Sequence, residues 1–372
     1  MGEGLKEFDT ERMERTFKLK EKSRSEFRKK GISIALFSGV IYGIYTAFLT
    51  LGMSRGVWSG WYGANETRLS AFVVIYLLGA LGNGINDLCS SGWALLNAVK
   101  KGKFKDFLRC INTKPGKRIV MVALLGGPIA GTAYVIALQM AGSIIVPVTA
   151  LCPAFSAILG KIIYKQEINK RMAFGIFICI SASFLIGSTG ITGGVSKNVI
   201  LGLLIALIAA FGWGLEGCLA GYASAMVDPE IGICIRQLTS GLVNLFIVLP
   251  ILGIMAGGVG ISTDLAIQAF TSGPAMIWFV VSGLATFVTF MSWYKGNSMC
   301  GAGLGGACNG TFSFFGPFFC YIILGVVAGM DGWLLPPIVW VGAVIMIFGI
   351  LVITMNPLDL IRKQEEKEIE LA

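Results

Sequence analysis

Residues 200–222, ILGLLIALIAAFGWGLEGCLAGY, are apolar enough to cross a bilayer yet contain a carboxylate, Glu216, three positions after an indole, Trp213. An acid in that setting costs roughly 3 kcal/mol and marks a functional site by default. Residues three apart share a helix face, so Trp213 and Glu216 are expected to look together into a substrate cavity. Of the 21 acidic residues only Asp87 and Glu216 fall well inside apolar spans, and the sequence shows no Lys or Arg near either midplane to neutralise them. Glu216 is therefore expected to bind a cation, hold a proton or collect hydrogen-bond donors. Aromatic faces beside it, Trp213 with Tyr42 and Tyr45, favour an organic cation at about 0.5 to 2 kcal/mol per desolvated contact. Tyr134, Trp293 and Tyr294 are weaker candidates for the same wall. Helix packing or interfacial anchoring is the competing explanation for each of these rings.

Further polar positions follow the helical period. Asn83, Asn86, Asp87 and Ser90 form one polar face, which must point into protein or water rather than lipid. Asp87 is read there mainly as part of a hydrogen-bond network, with proton relay and gating left open. Thr149 and Ser313, each four residues before a proline, are candidates with Asn309 and Thr311 for polar contacts to a substrate, unless they bond their own backbone.

These residues need helices in a membrane to position them. The chain is 55% hydrophobic and 14% charged, with mean hydropathy +0.76, which excludes an ordinary soluble domain and indicates an all-α polytopic membrane protein. Applying the requirement of about 20 apolar residues per crossing gives ten candidate spans, at 32–51, 69–95, 119–140, 144–164, 172–188, 199–222, 233–255, 275–294, 301–327 and 334–355. The net charge of +9 does not argue for nucleic acid, because the Lys and Arg lie in loops between spans. With a cytoplasmic N-terminus, 27 of the 30 Lys and Arg fall on the inside, Arg236 counted among them, which puts both termini in the cytoplasm and favours an even span count. The mixed charges and apolar residues of segment 1–30, Met13, Phe17, Leu19 and Phe27 among them, suggest a helix along the anionic inner leaflet or a solvated charge run.

The chain also repeats itself. Gly31 leads to Tyr42, Gly43 and Tyr45 as Gly202 leads to Trp213, Gly214 and Glu216, an offset of 171 residues. Pro153, Gly160 and Glu167 are echoed by Pro317, Gly325 and Asp331. Two five-span units, 31–190 and 198–356, flanked by segments 1–30 and 357–372, follow, and an odd unit repeated in one chain must sit upside down relative to its copy. The repeat places Tyr42 opposite Trp213 and Tyr45 opposite Glu216.

The run Pro153-Ala-Phe-Ser-Ala-Ile-Leu-Gly160, with Glu167, Arg171, Gly175 and the aromatic-glycine pairs, resembles the signature of the drug/metabolite transporter superfamily. The resemblance covers about residues 31–355 and implies ten helices in an inverted five-plus-five repeat around a cavity open to one side at a time. Asp331 in place of the usual acid and a glycine-rich ninth span depart from that pattern.

No nucleophile elbow, phosphate loop or catalytic acid pair is present, so an enzyme is not expected. Residues 301–306 fit GxGxxG only by glycine abundance, with no strand before them. Nine cysteines without CxxC, and no histidine, offer no metal or redox site, and no cofactor is expected. Asn65-Glu66-Thr67 is a glycosylation sequon on the outer side. The expected function is secondary transport in the plasma or inner membrane. It would move a small organic cation or zwitterionic amine by alternating access, with protons an open coupling ion and the lipid bilayer the other partner. Two alternatives stand beside it: a transporter of neutral sugars or amino acids with Glu216 as proton carrier, and a non-transporting scaffold or lipid-handling protein.

Overall fold

A computed structural model describes residues 2–62, 69–165, 168–192, 197–223, 226–300 and 302–354. The sequon at Asn65, the acid Glu167, the tail 357–372 and the side chains of Met13, Phe17 and Leu19 lie outside what it describes. Among the described residues every regular element is helical: α1 Gly2–Gly52, α2 Val57–Tyr62, α3 Leu78–Lys100, α4 Phe104–Ile111, α5 Lys114–Leu124, α6 Thr132–Ala141, α7 Ile145–Thr149, α8 Cys152–Tyr164 and α9 Lys170–Thr192 in the first half. The second half contributes α10 Lys197–Ala223, α11 Pro229–Val243, α12 Leu249–Met255, α13 Val259–Thr271, α14 Gly273–Cys300, α15 Ala302–Asn309, α16 Phe312–Cys320 and α17 Pro337–Thr354. Four π-helical segments, Val73–Leu77, Leu125–Gly131, Asn244–Val248 and Tyr321–Val327, adjoin these helices.

Among the described residues six helical stretches are long and apolar enough to cross a membrane, and three shorter apolar helices accompany them. The surface supports the same class. Phe177, Phe184, Phe246 and Phe348 are exposed while Asn86, Asp87, Glu216, Arg236 and Gln237 are buried, the reverse of a soluble protein's preference. Water does not reward such a surface, whereas a bilayer does. This is an all-α membrane protein.

Segment 2–30 is helical and runs without a break into the first apolar span as α1. Helix α13, which the sequence reading did not set apart, lies between α12 and α14 and buries Ser262 and Leu265.

Two loops are tied together at one end of the bundle. Lys101 and Lys103, between α3 and α4, bond Glu230 at 2.5 and 3.0 Å, and Lys103 also bonds Asp228 at 2.8 Å. Asp228 caps α11 by accepting from the Glu230 backbone N–H, with Pro229 in the first turn. Partial burial pushes the Asp228 carboxyl up, but its bonds to Lys103 and to that N–H outweigh this and hold it below the usual carboxylate range. The bond to Asp228 in turn raises the Lys103 ammonium above its ordinary value.

A lowered acid stabilises the fold above its unfolded-state pKa and loses that contribution as pH falls through the folded value. A raised base stabilises below its unfolded-state pKa and loses it as pH rises through the folded value. The tie is therefore complete at neutral pH and weakens on acidification. Lys103→Ala is expected to lower stability by about 1 kcal/mol or less at neutral pH, and by less still once Asp228 is protonated. Thermal unfolding in detergent at the two pH values checks this.

Candidate functional site

The local sequence of the third apolar span prepares the site. Pro128 has no N–H to donate, and the helix accommodates it by widening into the π-helical segment Leu125–Gly131. Gly126 and Gly127 in that segment present backbone alone. A Cβ on Gly126 would collide with the Glu216 carboxylate, and one on Gly127 with the Ser240 hydroxyl. The indole Nε1 of Trp213 donates to the Gly126 carbonyl at 2.9 Å. Trp213 and Glu216 thus meet the same glycine, as their spacing of three residues requires.

Glu216 is fully buried and has a cationic partner. Arg236 Nε donates to Glu216 Oε1 at 2.7 Å and Arg236 Nη2 to Glu216 Oε2 at 3.1 Å, a two-pronged pair with both side chains almost completely shielded. The third direction of the guanidinium, Nη1, donates to Gln237 Oε1 at 2.5 Å, and its face lies 4.0 Å from the Phe290 ring centre. This corrects the expectation of an unneutralised Glu216, and it corrects the placement of Arg236 among the inside loop charges. The span begins at Pro229 rather than 233, which carries Arg236 about 10 Å into the helix at 1.5 Å per residue.

Gln237 continues the network. With its Oε1 occupied by Arg236, its Nε2 faces Asp87 Oδ1 at 3.3 Å and Ser90 Oγ at 2.8 Å. Ser240, one turn along α11, donates to Asp87 Oδ2. The polar face of α3 is thus turned wholly inward. Asn83 bonds the Gly127 carbonyl and Thr132, and Asn86 bonds Thr286 and Ser282.

Beside this network stands an aromatic group drawn from four elements. Tyr42 stacks on Phe312 with ring centres 4.2 Å apart and meets Tyr45 edge-on at 4.8 Å, Tyr134 at 5.9 Å and Trp213 at 6.1 Å. Tyr134 closes the group against Trp213 at 5.2 Å and hydrogen-bonds Thr46 at 2.6 Å. The expected Tyr42–Trp213 juxtaposition is present. Tyr45 sits against Tyr42 and Tyr134, while its backbone carbonyl accepts from Ser282 Oγ at 3.2 Å. Tyr42 is buried with its hydroxyl unpartnered in the protein.

Other expected site residues are engaged in holding helices. Thr149 donates to the Val146 carbonyl of its own helix at 2.8 Å, Ser313 to the Ala343 carbonyl at 3.5 Å, and Asn309 to Ser38 at 2.8 Å. Thr311 likewise donates to the Cys308 carbonyl at 2.7 Å. Tyr294 is buried against the half-buried Trp293, which in turn meets Phe290.

Phe312 in the aromatic group, and Arg236, Gln237 and Ser240 on α11, are site residues not expected from the sequence. For the three on α11 the signal was present in Asp228-Pro229-Glu230, a cap, a first-turn proline and a first-turn acid, which together move the helix start back by a turn. Among the described residues no cluster of three metal-binding side chains occurs.

No protein-family model matches the chain, and no curated protein does. Among solved structures, one described only as "Crystal structure of protein" aligns over 88% of this chain and 98% of its own, at 17% identity and a TM-score of 0.49.

Breaking a buried ion pair strands the surviving charge, at about 3–5 kcal/mol. Glu216→Gln and Arg236→Gln are each expected to destabilise the protein strongly. The double substitution, which leaves no buried charge in the pair, should destabilise it less than either single change. Thermal unfolding of the three variants in detergent measures this.

Proposed function

We propose that the chain is a secondary membrane transporter that binds a small organic cation or zwitterionic amine against the Tyr42–Tyr45–Tyr134–Trp213–Phe312 group and moves it by alternating access. The single observation that carries the reading is the convergence of Tyr42 and Trp213, residues at equivalent positions of the two halves, in one buried aromatic group. Buried aromatic faces such as these favour cations. The neighbouring network contributes two carboxyls against one guanidinium, a balance that favours a further positive charge.

The architecture proposed is ten spans in two inverted five-helix repeats, with both termini in the cytoplasm of a cell bounded by the plasma or inner membrane. Support comes from helix packing that survives exchange of the halves. Helix α1 packs on α14 and α16 as α10 packs on α6 and α8, while α3 pairs with α11 and α9 with α17. Gly43 lets α1 approach the backbone at Phe315 and Gly316, and Gly214 lets α10 approach the Cys152 carbonyl and Phe155 in the same way. Rocking of one repeat against the other would expose the aromatic group to each side in turn. A neutral solute is the second reading, favoured by the unpartnered Tyr42 hydroxyl, which offers a hydrogen bond rather than a charge.

A thermal-shift panel of primary amines, quaternary ammonium ions, zwitterionic amino acids and neutral sugars separates these readings. Amines are expected to stabilise the purified protein and sugars not to. Trp213→Ala or Tyr42→Ala should weaken amine binding by up to roughly tenfold, the equivalent of about 1.4 kcal/mol. The amine that binds should be taken up by proteoliposomes. Stabilisation by sugars alone would support the neutral-solute transporter, and absence of flux for every binder would leave a scaffold.

A further inference from the structure

We infer that Asp87, held by Gln237 and Ser240 where α3 crosses α11, is the side chain that takes up and releases a proton within the membrane, with Arg236 committed to Glu216 as the fixed charge that sets the balance. The coupling consequence rests on the transporter reading above; the proton site itself does not.

Two carboxyls and one guanidinium lie together, Asp87 at 4% exposure, Glu216 at 0% and Arg236 at 2%. Arg236 spends Nε and Nη2 on Glu216 and Nη1 on Gln237, so no N–H of the guanidinium reaches Asp87 in the contacts it makes. Asp87 receives only neutral donors, an amide and a hydroxyl. A buried carboxylate without a cation of its own is neutralised by a proton or by an arriving cation.

The partners of Asp87 suit both of its protonation states. The Ser240 hydroxyl donates to an ionised Asp87 and accepts from a protonated one by rotating its own hydrogen. Gln237 cannot flip, because its Oε1 is fixed by Arg236, so its Nε2 donates to Oδ1 in either state. Loss or gain of the proton therefore requires no rearrangement of helices. The titratable groups facing this network are Tyr45 from α1, Cys152 from α8, Glu216 from α10, Arg236 from α11 and Tyr294 from α14. The Leu125–Gly131 and Asn244–Val248 segments contribute no titratable side chain.

The Asp87 site is contiguous with the aromatic group. Asn86, adjacent to Asp87, bonds Ser282, whose hydroxyl also reaches the Tyr45 carbonyl. One turn beyond Ser240, the buried Asn244 has its Nδ2 without a protein partner, as Tyr42 has its hydroxyl. A cation entering between the tyrosines and α3 would find Asp87 protonated. Its arrival favours the carboxylate: the O–H bond of the acid breaks, the proton leaves to water, and the substrate's positive charge replaces it. One charge is exchanged for one, and the buried network keeps its balance.

Infrared difference spectroscopy on the full-length protein in lipid, titrated with protons alone, tests the assignment. The wild type is expected to show the carbonyl band of one protonated carboxylic acid that disappears as pH rises. Asp87→Asn should lose the band, and Asp87→Glu, which restores a carboxyl, should recover it. In variants that remain folded by size exclusion, the midpoint should move in opposite directions. It should shift to lower pH in Glu216→Gln, where Arg236 becomes free to compensate Asp87, and to higher pH in Arg236→Gln, where the only cation is gone. A merely structural Asp87 would produce neither shift.

Persistence of the band in Asp87→Asn overturns the assignment, and so does its loss in Glu216→Gln with Asp87→Asn unaffected. Replacement of the pH titration by a sodium titration of the same band also overturns it, in favour of a metal cation. Failure of solute flux with the Asp87 band intact removes the transport reading and leaves the proton site standing.

Discussion

The bidentate contact between Arg236 and Glu216 is the constraint to which the centre of this protein answers. Two opposite charges in a water-poor interior attract strongly, but each has surrendered its hydration, and the sum is favourable only when the geometry is close and the remaining hydrogen-bonding groups are met. That demand propagates outward. Helices α10 and α11 must approach at one rotation and one register. The neighbouring span must present no side chain where the carboxylate lies, and Gly126 and Gly127 in the π-helical segment provide that. The remaining guanidinium N–H must find an acceptor, and Gln237 provides it while passing its own amide hydrogens to α3.

A consequence is that polar and aromatic matter are segregated from the lipid-facing surface yet adjacent to one another. The polar side chains of α3 are consumed by bonds to other helices, while the aromatic group is held chiefly by ring contacts and leaves the Tyr42 hydroxyl unmatched. A fully satisfied network resists rearrangement. A group held by ring packing and short of one hydrogen-bond partner can exchange neighbours at smaller cost.

The ion pairs at Lys101, Lys103, Asp228 and Glu230 differ in kind from the buried pair. They are partly hydrated, so each contributes little to stability. Their effect is geometric, joining the approach to α4 with the start of α11 and fixing the end of the helix that delivers Arg236 inward.

What the sequence determined by itself was what depends on periodicity and composition. Apolar runs identified a helical membrane protein, the three-residue spacing put Trp213 and Glu216 on one face, and the stripe from Asn83 to Ser90 predicted an inward polar face. The equal spacing from Gly31 to Tyr42 and from Gly202 to Trp213 suggested that the two rings would meet, and they do. Partner choice was not legible, because it depends on rotation and depth of separate helices. A displacement of one turn in the start of α11 converts Arg236 from a loop charge into the partner of Glu216. For the same reason the partners of Ser313 and Asn309 could not be assigned until the helices that carry Ala343 and Ser38 were in place. Local sequence fixes which face of a helix is polar; the desolvation of the assembled bundle decides which groups must find each other there.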